Sequence, residues 1–127
     1  DFKIQAGCQV IVTDDVKSAL QTLKPFVGLY VGGMGAKSKN FHKEMMIRRG
    51  YPEAAERIQE LFLAGKKAEA FEAVPDEYVD QGALIGPRAR IAENFRAWQE
   101  LGVDGLTLHT EQDEALEVMA DLAGCRQ

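Results

Sequence analysis

The chain has 127 residues, 46% of them hydrophobic and 28% charged, with four prolines, which excludes a disordered or low-complexity polypeptide and gives enough apolar material for one core. Fifteen Lys and Arg against 20 Asp and Glu leave a net charge of −5, so no broad basic surface exists for nucleic acid or for an acidic membrane. No apolar run approaches the ~18 residues that cross a bilayer, and the N-terminal residues lack a charged-then-apolar leader pattern, so the expected location is the cytoplasm.

The first element is a strand within Phe2 to Thr13, where Ile4, Ala6, Cys8, Val10, Ile11 and Val12 give an apolar run expected to be buried on both faces by its end. Thr13-Asp14-Asp15 follows as a helix N-cap, its acids facing the positive end of the macrodipole. Val16, Ala19, Leu20, Leu23, Val27 and Tyr30 then recur at helical spacing over Asp15 to about Tyr30, with Pro25 expected to kink or split the helix. After the turn Gly32-Gly33-Met34-Gly35, Asn40 caps a helix through Arg49 that Gly50 closes, and Pro52 sits where a first helical turn tolerates proline. Ala55, Ile58, Leu61 and Phe62 give the next helix its apolar stripe; Gly65 ends it, and Lys66 to Ala73 forms a short helix before Pro75.

Ala83-Leu84-Ile85 reads as a short strand ending at Gly86-Pro87, and Ile91, Phe95, Trp98 and Leu101 define a helix closed by Gly102. Their spacing points to packing rather than to stacking on a cofactor. Val103 to His109 is a third strand. Thr110 is expected to cap a last helix, with Asp113 in a capping-box role and Ala115, Leu116, Met119 and Leu122 on its apolar side. Strands alternating with amphipathic helices predict parallel βα units in a single α/β domain over 1–127, with a helical insertion at about 40–74. Three such strands leave a sheet face and both edges open, whereas a closed (β/α)₈ barrel needs roughly 250 residues, so the pattern fits half a barrel. Asp1 in place of methionine points to processing or to a piece of a longer protein. Cys8 and Cys125 lie far apart and fit reduced thiols rather than a disulfide framework or a metal site.

Five segments in this order, Leu29-Tyr30-Val31-Gly32-Gly33-Met34-Gly35, Asn40-Phe41-His42, Arg49-Gly50-Tyr51, Val74-Pro75-Asp76-Glu77 and Ile85-Gly86-Pro87, resemble the luciferase-like monooxygenase superfamily, and most of all its actinobacterial branch that uses coenzyme F420. The resemblance covers essentially the whole chain. It implies the C-terminal part of a (β/α)₈ barrel, about strands six to eight, and a flavin- or deazaflavin-dependent oxidoreductase or monooxygenase. In such an enzyme a hydride passes between coenzyme F420, or alternatively flavin mononucleotide (FMN), and an organic small molecule. It also implies partners: the N-terminal half of the barrel, or a second copy of the chain in a homo-oligomer. The competing reading is a non-catalytic, stand-alone α/β binding or assembly module.

Candidate site residues follow from position and chemistry. Gly33, Met34 and Gly35, with Lys37, form a glycine-dense cationic loop in which the backbone can approach a ligand and the lysines attract a phosphate or carboxylate. The nucleotide P-loop spacing fails, since Ala36 separates Gly35 from Lys37. Asn40 and Phe41 open the next helix, Asn40 with a competing role as its cap, and Met34, Met45 and Met46 offer a pliable apolar lining. His42 and His109 are the candidate proton donors, each weighed against a purely structural role, His109 because it ends the last strand, the edge where barrel enzymes build active sites. Arg88 and Arg90, in the first turn after Gly86-Pro87, are candidates for holding an anionic ligand, set against exposed helix arginines.

Overall fold

The computed structural model describes residues 2–125 and divides into two compact units: the chain up to Ala19 together with the chain from Asp80 onward, and Leu20–Val79. The first unit holds a three-stranded, wholly parallel sheet of β1 (Gln5–Val12), β2 (Ala83–Gly86) and β3 (Gly105–His109), in the order β2-β1-β3. Its helices are α6 (Arg88–Glu100) and α7 (Asp113–Leu122), which pack along β2 and β1 respectively. Three successive strands of a barrel would lie in chain order; here the first strand is in the middle. The physical reason is length and composition: β1 has eight residues against four in β2 and five in β3, and from Cys8 to Val12 it is apolar except at Gln9, so the central place satisfies most of its backbone and buries Cys8 and Val10.

Period-2 alternation sorts the sheet into two faces. Cys8, Val10 and Val12 of β1, Leu84 of β2 and Leu106 and Leu108 of β3 share one face, and with Ile91, Phe95, Ala115, Val118 and Met119 of α6 and α7 they form the core. Each large aliphatic fully buried there contributes about 1.5–3 kcal/mol. Burial also pushes the Cys8 thiol up to about 11, so it is an inert core residue, while Cys125 is exposed. The inward side of α7 is Ala115, Val118 and Met119; Leu116, expected to be buried, is exposed.

The second unit is helical and broader than the expected insertion. It takes in α1 (Val16–Gly33) from Leu20, α2 (Phe41–Arg48), α3 (Pro52–Leu63), α4 (Lys67–Glu72) and α5 (Asp76–Gln81) as far as Val79. Helix α1 runs unbroken through Pro25; both Pro25 and Gln21, whose carbonyl the proline leaves without its helical donor, are exposed, so water can serve that carbonyl. Gly32 and Gly33, read as a turn, are the last turn of α1 instead. A Cβ at Gly28 would lie 2.5 Å from Phe71, one at Gly32 2.6 Å from Phe62, and one at Gly33 2.5 Å from the Phe62 ring, so these glycines let α1 close on the helices behind it. Met46, Ala55, Ile58, Ala70 and Val74 are buried in this unit. Gly50, at φ +98°, ends α2 in the left-handed conformation that favours glycine.

At the start of α1 the Asp15 carboxylate accepts the Ser18 N–H at 3.1 Å, an N-cap. The two hydrogen bonds from Ser18 hold the Asp15 carboxyl below its ordinary value. Because the folded value lies below the unfolded one, the cap is at full strength above about pH 4 and is lost as pH falls through the folded value. Urea midpoints at pH 6 and pH 3 should therefore separate more for the wild type than for Asp15→Asn, which caps without titrating.

Candidate functional site

The second face of β1 and β3 carries Gln5, Gly7 and Gln9 beside Gly105, Thr107 and His109, paired in that register. Gln5, Gly7, Thr107 and His109 are exposed and Gln9 half-buried, whereas Ala83 and Ile85, on the β2 side of the same face, are buried. The His109 ring lies over Gly7: a Cβ there would come within 3.3 Å of Nε2. An imidazole, an amide and a hydroxyl thus share an open surface with a glycine floor, offering donors and acceptors to a flat ligand laid on the strands. His109 ends β3 in register with Gln9, three residues below the end of β1 at Val12, where β2 also ends at Gly86. At about 3.3 Å per residue, His109 sits roughly 10 Å below the start of α6.

At that start Gly86 has φ +132°, a conformation few side chains tolerate, and a Cβ would lie 2.8 Å from Arg90 Cδ. Pro87 is the N-cap residue in extended conformation. The Arg90 guanidinium donates through Nη1 and Nη2 to the two Asp80 carboxylate oxygens at 3.1 and 2.7 Å, and through Nη1 to the Ile85 carbonyl. The hydrogen bond donated to the Asp80 carboxylate also raises the Arg90 pKa above its ordinary value. Both charges are therefore already matched, which gives Arg90 a structural role beside the anion-holding one expected of it. Arg90→Ala should lower stability by about 1–2 kcal/mol, discounted for the pair's partial exposure, and Arg90→Lys should recover only part because it lacks the fork. Urea denaturation measures the loss, and sulfate affinity should not change. Arg88 is exposed, and its Nη1 donates to Asp121 at 3.1 Å.

The remaining candidates lie in the helical unit. Asn40 is 2% exposed and fully used: Oδ1 accepts the Lys43 N–H at 2.9 Å, capping α2, and Nδ2 donates to the Tyr30 and Val31 carbonyls at 3.2 and 2.8 Å. It is a staple between the end of α1 and the start of α2. Gly35 packs on it, since a Cβ would stand 3.0 Å from Asn40 Cα. Ala36 to Lys39 is a tight turn closed by the Lys39 N–H on the Ala36 carbonyl at 3.0 Å, with Lys37 and Lys39 exposed. The Lys37 carbonyl accepts from Gln59 Nε2 at 3.3 Å, while Lys43 Nζ reaches Glu56 at 2.9 Å and Gln59 Oε1 at 2.8 Å. His42 stands edge-on to Tyr30 at 4.7 Å and to Phe41 at 5.7 Å between ring centroids. Met34 and Phe41 are exposed, leaving apolar surface beside the two lysines.

Gly7, Gln9 and Thr107 escaped the sequence reading. The signal of Gly7 and Gln9 was present as the small or polar residues at odd positions of β1, but the apolar run from Val10 to Val12 masked the alternation; Thr107 alternates likewise with Leu106 and Leu108 in β3. Among the described residues no three His, Cys, Asp or Glu side chains are placed to hold a metal ion, and no helix is long and apolar enough to cross a membrane.

The family model of luciferase-like monooxygenase matches residues 1–105. A Mycobacterium tuberculosis protein whose name assigns it to the coenzyme F420-dependent oxidoreductases is 37% identical over 122 residues, covering 96% of this chain and 35% of the relative. The chain thus spans about a third of the length of that curated relative. No solved structure matches it.

Proposed function

This chain belongs to the luciferase-like monooxygenase family, and we propose on that footing that it is the C-terminal part, about strands six to eight, of a (β/α)₈ oxidoreductase in which a deazaflavin of the coenzyme F420 type exchanges a hydride with a small organic substrate. The observation that carries the reading is the 37% identity, over nearly all of the chain, to a relative named for coenzyme F420. The open sheet face adds support. Its glycine floor is a cradle that a side chain would fill, and the groups around it suit the edge of a planar heterocycle. FMN would meet the same residues and is the alternative cofactor.

In this reading the backbone at Gly7 allows close approach, Gln9 and Thr107 orient the ligand by hydrogen bonds, and the His109 imidazole holds or passes a proton at Nε2. Arg88 and the free N–H groups opening α6 would take an anionic tail, as helix starts in barrels do; Lys37 and Lys39 would attract phosphate or carboxylate. The deazaflavin, when bound, supplies the hydride chemistry. A complete barrel needs upstream strands, contributed by an N-terminal half or by another copy.

The alternative, a non-catalytic binding module, draws on the structural employment of Gly33, Asn40 and Arg90. Titration of oxidised coenzyme F420 and of FMN, followed by cofactor fluorescence, separates the two. The redox reading expects saturable binding, stronger for the deazaflavin, and weakened about tenfold or more by Gly7→Val, which fills the floor. Absence of binding by either cofactor, both to the chain alone and to the chain joined to the upstream strands of a family barrel, would refute it.

A further inference from the structure

We propose that Gln59, a buried amide on α3, is a positioning residue that presets the cationic turn from Ala36 to Lys39 for the phosphate or carboxylate end of the ligand. The inference rests on the reading given above, in which Lys37 and Lys39 attract that group.

Gln59 is 3% exposed and shares the buried side of α3 with Ala55 and Ile58, where an apolar residue of similar size would serve packing alone. A buried amide costs free energy unless its polar atoms are hydrogen-bonded, and an apolar replacement of the same shape avoids that cost. Both ends of this amide are used. Nε2 donates to the Lys37 carbonyl at 3.3 Å, and Oε1 accepts from Lys43 Nζ at 2.8 Å. An ammonium only donates and a carbonyl only accepts, so the amide has one orientation. Both bonds leave α3 for the segment that leads from α1 into α2.

That segment is held from its other side by Asn40, whose Nδ2 donates to the Tyr30 and Val31 carbonyls. Lys43 joins the two holds: its N–H is capped by Asn40 Oδ1 and its Nζ meets Gln59. Glu56 lies 2.9 Å from Lys43 Nζ and matches its charge, so Lys43 belongs to the scaffold. Lys37 and Lys39 are the cations of the turn itself, and among the described residues neither has a salt-bridge partner. The turn closes through the Lys39 N–H on the Ala36 carbonyl at 3.0 Å, and the absence of a Cβ at Gly35 lets it fold against Asn40. Gln59 grips the main chain of Lys37 inside this turn. A backbone fixed before the ligand arrives spares part of the ordering cost of binding, so the two lysines gain affinity from an amide that does not itself touch the ligand.

The test compares ligands that share a ring and differ in the anionic end: oxidised coenzyme F420 against the same deazaflavin without its phosphate-bearing tail, and FMN against riboflavin, each followed by cofactor fluorescence. We expect the intact chain to prefer the phosphate-bearing member of the pair it binds by about tenfold or more, and Gln59→Leu to cut that preference about threefold or more while leaving the phosphate-free member unmoved. In a background carrying Lys37→Ala and Lys39→Ala the preference should be gone and Gln59→Leu should change nothing further, the non-additivity of a residue that acts through the lysines. A readout without ligand accompanies it: hydrogen exchange of the Lys39 amide should quicken about fivefold or more in Gln59→Leu while amides within α2 and α3 keep their protection. Should Gln59→Leu fail to fold, Gln59→Glu keeps the bond from Lys43, sets a carboxylate oxygen against the Lys37 carbonyl, and should give the same shifts. Equal weakening of both members of a pair, an unmoved preference, effects additive with those of the lysines, or unchanged exchange at Lys39 would each overturn the proposal and leave the redox reading standing. Absence of binding by all four molecules, to the chain alone and to the chain joined to upstream strands, would refute that reading and the proposal with it.

Discussion

Asn40→Ala lowers the stability of the chain by about 2–4 kcal/mol in urea denaturation. Loss of the cap at the Lys43 N–H costs about 1 kcal/mol. Loss of the amide that donates to the Tyr30 and Val31 carbonyls adds about 1–3 kcal/mol, because the Val31 bond is buried and water does not replace the donor. Asn40→Asp separates these parts. Aspartate is as good a cap as asparagine, so a purely capping residue would tolerate it. Here it sets a carboxylate against two carbonyl oxygens inside the helical unit, and it should be at least as damaging as alanine. Near-neutral behaviour of the aspartate variant would show that the staple does not exist and would return Asn40 to the pool of ligand-binding candidates.

Gly32→Ala is expected to destabilise by about 1–2 kcal/mol, against the usual sign for glycine in a helix. In an open helical position the substitution gains about 1 kcal/mol of helix propensity. At Gly32 the new methyl would stand 2.6 and 2.7 Å from Phe62 Cβ and Cγ, atoms fixed close to the backbone of α3, and overpacking of that kind costs about 1–3 kcal/mol. At 2.6 Å from an atom that cannot rotate away the cost lies in the upper part of that range, about 2–3 kcal/mol, and exceeds the gain. Placing the substitution in a Phe62→Ala background removes the obstacle, so a double-mutant cycle should show coupling of about 1 kcal/mol or more. Additive behaviour, or a rise in stability on Gly32→Ala alone, would show that the glycines keep the flexible hinge that their sequence advertises.

The elements whose signals are local were legible. Asp15 and Asn40 cap helices, Gly50 ends one, Pro52 opens another, and all three strands lie where apolar runs fall between punctuating residues. What escaped depends on residues distant in sequence. Gly32 and Gly33 read as a turn because glycine is a poor helix former, and only Phe62, some thirty positions on, explains why the helix needs them. Thr110 read as the cap of α7, yet its hydroxyl accepts the Gln112 N–H in a local turn and the helix starts at Asp113. The Gln112 side chain instead grips the main chain of Val12, accepting its N–H at 2.7 Å and donating to its carbonyl at 3.0 Å. Nothing near Gln112 announces that partner. Helix α5 has no counterpart among the elements expected from the sequence, because six residues carry too little periodicity to register.

Of the candidate site, the sequence supplied His109 and Arg88 but not the surface that His109 shares with Gly7, Gln9 and Thr107, which exists only once β1 and β3 are aligned. Arg90 has the opposite history. Its place at a helix start invites an anion, and only the fold reveals that Asp80 is already there.

Because β1 precedes both strands that flank it in the sheet, these hydrogen-bonding neighbours are not synthesised until roughly 70 to 100 residues after it. At the usual elongation rate of about 5–20 residues per second, these two pairings wait several seconds after β1 is made, while the helices translated behind it can form in microseconds. Sheet assembly is thus the late, high-contact-order step of folding. Expression yield should depend more on chaperones and growth temperature than the near-complete burial of the finished core would lead one to expect.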